Sequence, residues 1–109
     1  MGKNYKHDRL AKTLMNEINY LLANELEDPI FLSINITNID ISKDFKKAYV
    51  YFVNDPNEIE KEAAFKVLDK SKSHIRSRVA QITNNTSTPE FVFKYDNTAR
   101  INKLLNDLE

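Results

Sequence analysis

Asp69-Lys70-Ser71-Lys72-Ser73-His74-Ile75-Arg76-Ser77-Arg78-Val79 lies inside a long helical pattern and decides how the middle of the chain is built. Ala64, Leu68, Ser71, Ile75 and Ile82 recur at the spacing of one helix face, so the apolar stripe contains a serine. Ser71 and Ser73 can hydrogen-bond to nearby backbone and compete with the helical ladder. A break is therefore expected here, with one helix ending near Lys70 and another starting near Lys72. The exposed side carries Lys70, Lys72, His74, Arg76 and Arg78, with no acid between Lys70 and Arg78. A bent helix pair with a cationic elbow can hold phosphate; the plain alternative is a solvated helix face over a core.

On the N-terminal side of this segment, the pattern starts near residue 57, after the turn Asn54-Asp55-Pro56-Asn57. Asp55, Glu58, Glu60 and Glu62 place negative charge where a helix dipole favours it. Before the turn, Phe45 to Val53 alternates with period two, Ala48, Val50 and Phe52 on one face and Tyr49, Tyr51 and Val53 on the other. Ser42-Lys43-Asp44 is a turn, and Phe31 to Ile41 is a preceding strand. Its apolar phase flips between Leu32, Ile34, Ile36 and Ile39, Ile41, which one inserted residue near Thr37-Asn38 would restore: a β-bulge. The short turn makes these two strands an antiparallel hairpin. Earlier still, Leu10, Leu14, Ile18, Leu21, Leu22 and Leu26 mark a helix that Pro29 follows. Asp8 can cap it, or it begins a turn earlier; residues 1–6 read as a loose basic arm.

On the C-terminal side, Asn84-Asn85 ends the helical pattern and 83–88 is a polar loop. Pro89 to Tyr95 is a third strand, with Phe91, Phe93 and Tyr95 on one face. The helical crossover from the second strand is long enough for parallel pairing and is expected to be right-handed. Asn97 or Thr98 then caps a short helix with Ile101, Leu104, Leu105 and Leu108. The result is an α+β fold: a three-stranded mixed sheet with helices over one face. Tyr49, Tyr51 and the aromatics of strand three could stack bases if exposed; core packing and partial cover are the expectation.

With 109 residues the chain is expected to be one domain, residues 1–109, burying roughly 60–70% of its unfolded surface. It has no cysteine, which excludes disulfides and thiolate metal sites and fits a reducing cytoplasm. No apolar run reaches membrane-span length and the N-terminus lacks a signal-peptide pattern, so a soluble cytoplasmic protein, and a monomer, is expected. Gly2 is the only glycine. Glycine-rich phosphate loops are therefore absent, and positive-φ positions should fall to asparagines such as Asn38, Asn54, Asn57, Asn84, Asn85 and Asn97. The 16 basic and 16 acidic residues cancel, but they are segregated, and a neutral protein can still present one positive face.

Several segments carry a resemblance: Glu27-Asp28-Pro29, Ile39-Asp40-Ile41-Ser42-Lys43-Asp44-Phe45, Ala48-Tyr49-Val50-Tyr51, Ser71-Lys72-Ser73-His74-Ile75-Arg76, Thr88-Pro89-Glu90-Phe91-Val92-Phe93 and Asp96-Asn97-Thr98. In this order and spacing, from about His7 to Leu108, the chain resembles the ribosome-binding factor A family of bacterial small-subunit assembly factors. The resemblance implies a KH-like fold of type II order, α-β-β-α-kink-α-β-α, without the Gly-x-x-Gly loop with which a standard KH domain clamps single strands. Members of the family have an Ala-x-Gly kink instead; here Ser71 and Ser73 stand in the alanine and glycine places. Ile30 stands in place of the arginine in the Asp-Pro-Arg turn of many relatives, and the extended C-terminal tail that some of them carry is not expected here.

What the resemblance implies is a non-enzymatic protein that binds the free 30S subunit and not assembled 70S ribosomes. It implies contact with 16S rRNA near the 5′-terminal helix, and support for late maturation, rRNA processing and growth in the cold. Binding through phosphate contacts and shape is expected. The helix segment ranks first, with Lys70, Lys72, Arg76 and Arg78 as charges and Ser73 and His74 as hydrogen-bonding groups. Lys6, Arg9 and Lys12 rank second, and Lys43, Lys46 and Lys47 at the hairpin third. Arg76→Glu with Lys72→Glu is expected to spare the fold and weaken binding. His7 and His74 alone do not make a metal site, and an exposed or stacking role is expected of each. No nucleophile–base pair stands out, so neither catalysis nor a cofactor is expected. The alternative is a protein-interaction module whose basic face meets an acidic partner.

Overall fold

A computed structural model of the chain describes residues 5–83, Thr83 by its backbone only, and 88–98. Helix α1 spans Tyr5–Asn24 and is followed by a 3-10 turn, Pro29–Ser33. Strands β1 (Ile34–Ile41) and β2 (Lys47–Asn54) lead to helix α2 (Lys61–Thr83) and strand β3 (Glu90–Tyr95). Asn97 and Thr98 are helical. The helix expected through Leu108, the ending at Asn84-Asn85 and the first four residues of the basic arm lie outside the described residues.

The sheet order is β1-β2-β3, antiparallel between β1 and β2 and parallel between β2 and β3. The register shifts between Ile36 and Asn38, so the bulge at Thr37 returns Ile39 and Ile41 to the buried face beside Ile34 and Ile36. Ala48, Val50, Phe52, Phe91 and Phe93 line the same face. Leu14, Ile18, Leu21 and Leu22 of α1 and Ala64, Leu68, Ile75 and Val79 of α2 complete one core cluster. Each large apolar side chain fully withdrawn from water there contributes about 1.5–3 kcal/mol. Asn19 of α1 uses its amide on the outer edge of β1, accepting from Ile36 N–H at 2.9 Å and donating to Ile36 C=O at 3.0 Å. It thereby pairs backbone groups that a bare edge strand would leave open.

Five expectations change. Helix α2 is continuous through Ser71 and Ser73, with no break. The cost of serine against alanine is a few tenths of a kcal/mol, which the buried stripe on both sides exceeds. That stripe closes with Val79, and Ile82 is exposed. The helix starts at Lys61, because Asp55 C=O accepts from Glu58 and Ile59 N–H and makes a separate turn. Leu32 belongs to the 3-10 turn after Pro29 and is exposed; Phe31 takes the buried place. Asp28 caps that turn, accepting from Ile30 N–H at 3.0 Å. Lys6 is helical, since α1 begins at Tyr5 and Asp8 sits inside its first turn.

Candidate nucleic-acid interface

A continuous helix advances about 100° per residue, so the alternating cations of α2 divide between its flanks. Lys72 and Arg76 lie about 40° apart on one flank; His74 and Arg78 lie about 40° apart on another, turned by about 200° from the first. Lys70 is exposed and lies about 40° from His74, on the outer side of that second flank. The single cationic elbow is thus split, for want of the break that would have turned its halves together.

The two flanks have different surroundings. Arg78 makes a two-pronged contact with Glu25, just after α1, at 2.8 and 3.0 Å. Its guanidinium lowers the Glu25 carboxyl below the usual range, and His74 adds a smaller effect of the same sign. Glu25 in turn raises Arg78. Arg76 donates from Nη2 to Thr88 C=O at 2.6 Å and from Nε to Pro89 C=O at 3.0 Å. Both arginines therefore hold the protein's own elements. Beside Arg76 runs an open groove of about 570 Å³, bordered by Lys72, Ser73, Ser77, Thr88, Glu90 and Phe91 among others.

The hairpin turn that carries Lys43, Lys46 and Lys47 is braced by its own polar groups and by α1. Asp44 accepts from Lys46 N–H at 3.0 Å and from the Ser42 hydroxyl at 2.8 Å, which builds the turn and lowers the Asp44 carboxyl, the backbone bond contributing most. Phe45 completes the turn at φ 62°, the only positive φ among the described residues. Asparagine was expected at such a position; a phenylalanine there costs about 1–2 kcal/mol. The compensation comes from α1. The buried His7 ring stacks on Phe45 with centroids 4.0 Å apart and planes at 19°. His7 Nε2–H donates to Lys43 C=O at 3.1 Å; a carbonyl only accepts, which assigns the proton to that nitrogen.

From the turn, Lys46 C=O accepts from Glu90 N–H at 2.9 Å, and Pro89 next to it is held by Arg76. Direct contacts thus link the start of α1, with Lys6 and Arg9, to Lys43, Lys46 and Lys47, and on to Lys72 and Arg76. Lys12 stands further along α1, by Asn38 and Ile39. His74, Arg78 and the outer Lys70 stay apart from this series. Sequence reasoning missed Phe45, Asn19 and the clamp on Thr88 and Pro89. Phe45 alone had a local signal: a turn in a chain with one glycine. On the open sheet face, Tyr49 and Tyr51 are half-buried, and Lys94 Nζ lies 5.1 Å from the Tyr49 ring centre.

The element order, the mixed sheet with helices on one face and the helix that runs on where a Gly-x-x-Gly loop would stand define a KH-like α+β domain. The chain belongs to the ribosome-binding factor A family, whose model matches residues 6–108. It is 30% identical over 106 residues to ribosome-binding factor A of Clostridium kluyveri, covering 96% of this chain and 88% of that one. It is 32% identical over 112 residues to that of Limosilactobacillus reuteri, covering 98% and 94%. The crystal structure of ribosome-binding factor A from Thermus thermophilus superposes with a TM-score of 0.71 at 20% identity, over 82% of this chain and 94% of that one. A Thermus thermophilus homology model fitted into a cryo-EM map of a complex with the 30S subunit gives 0.61 at 22% identity, over 85% and 93%.

Proposed function

We propose that this protein is a small-subunit assembly factor that binds the free 30S subunit through 16S rRNA near its 5′-terminal helix. It acts by binding rather than catalysis, supports late maturation and rRNA processing, including in the cold, and leaves before 70S ribosomes form. The observation that carries this reading is the run of direct contacts gathering Lys6, Arg9, Lys43, Lys46, Lys47 and Lys72 along connected elements. Exposed and half-buried cations so arranged suit a phosphate backbone, and membership of a family named for ribosome binding supports it. Lys70, Ser73 and His74 remain further contacts in this proposal, whereas Arg76 and Arg78 contribute charge from fixed positions.

The test is co-sedimentation with free small subunits and with assembled ribosomes, over a range of salt. Travel with free subunits alone is expected. With about four to six phosphates neutralised, affinity should fall by roughly two to three decades between 50 and 200 mM salt. Lys43→Gln with Lys46→Gln and Lys47→Gln should flatten that slope. Binding indifferent to salt, or equal binding to assembled ribosomes, would defeat the proposal.

A further inference from the structure

We propose that Phe45 at the hairpin tip is a stacking platform for an unpaired nucleobase of bound RNA. This rests on the RNA-binding reading above and adds a base contact to the phosphate contacts of the hairpin. Three observations converge on Phe45. The residue holds a left-handed backbone that glycine or asparagine would hold with less strain, which marks the hairpin tip as a candidate functional position. The ring is stacked on buried His7 and fixed in orientation, yet the residue is 38% exposed and lies outside the core cluster. Exposed Lys43, Lys46 and Lys47 flank it in sequence. The one acid within the turn, Asp44, has its carboxylate occupied by the Lys46 amide and the Ser42 hydroxyl.

A rigid aromatic ring flanked in sequence by exposed lysines has the parts by which proteins hold single strands: cations follow the backbone while a base lies on the ring. Stacking accepts any base, since each has a π-face, so the platform selects for an unpaired nucleotide rather than for a sequence. His7 serves here as a positioning residue. It backs the ring and, through the Lys43 carbonyl, keeps the turn closed.

The chain has no tryptophan, so Phe45→Trp introduces a single indole reporter at the platform. This variant is titrated with oligoadenylate and with an abasic oligomer of equal length. Indole emission should be quenched by oligoadenylate and not by the abasic backbone. Phe45→Gly relieves the backbone strain and keeps the turn, so its loss of affinity for oligoadenylate, roughly tenfold, should come with an unchanged salt slope, because no phosphate contact is removed. Phe45→Tyr should bind like the parent. Salt-dependent binding with unquenched emission, or a Phe45→Gly variant that binds as tightly as the parent, overturns the platform and leaves the phosphate reading standing. A parent protein that binds no RNA overturns both.

Discussion

Arg76 shows how a residue's chemistry depends on what its side chain meets. In sequence it is one more cation in a basic run. In the fold its guanidinium closes on two carbonyls, Thr88 and Pro89, just before β3. Hydrogen bonds to a charged donor contribute more than neutral ones, so Arg76→Ala should lower stability by about 1.5–3 kcal/mol. Lys72→Ala, one turn away and without such bonds, should stay within about 0.5 kcal/mol. Urea midpoints of the two variants check this, and equal midpoints would refute it. Arg76→Glu, expected from sequence to spare the fold, would instead set a carboxylate against two carbonyl oxygens. Phe45 makes the same point through its backbone: the turn was legible, but the stack that lets a phenylalanine occupy it was not.

For the elements, period and composition were sufficient in most places. Alternation placed Ala48, Val50 and Phe52 inside, the phase flip located the bulge, and the helical crossover implied the parallel pairing of β2 with β3. These are local properties, because side-chain direction repeats every two residues in a strand and every 3.6 in a helix. The middle of α2 was misjudged, since serine propensity is weak against buried Leu68, Ile75 and Val79 on either side. Ser73 is exposed in an unbroken helix, so Ser73→Gly should cost about 0.5 kcal/mol. Thermal or urea unfolding measures it; a variant as stable as the parent would mean that the ladder is already relaxed there.

Across the whole molecule, charge does more than confer solubility. Arg78 and Glu25 lie 53 positions apart and tie α2 to the end of α1, while Asp44 ties the hairpin turn. Both carboxylates titrate below their ordinary values in the folded chain. A depressed folded pKa gives stability that is whole above the unfolded value and is lost as pH falls through the folded one. Stability should therefore decline as pH drops below about 4. Glu25→Gln should decline less over that range, and thermal midpoints at several pH values would show it. Parallel curves for the two proteins would mean that solvent screening leaves the pair without effect.

The order of the three strands between helices, most of the buried faces and the family were determined by the sequence alone, because each rests on local periodicity or on short motifs in a fixed order. Tertiary structure decided the rest: which cations hold the fold, which face solvent, and how three basic groups distant in sequence come to lie along connected elements. The reason is that a long cationic side chain takes its role from whichever oxygen is nearest. For Arg76 those oxygens belong to Thr88 and Pro89, and for Arg78 to Glu25 as well as to Gln81 of its own helix.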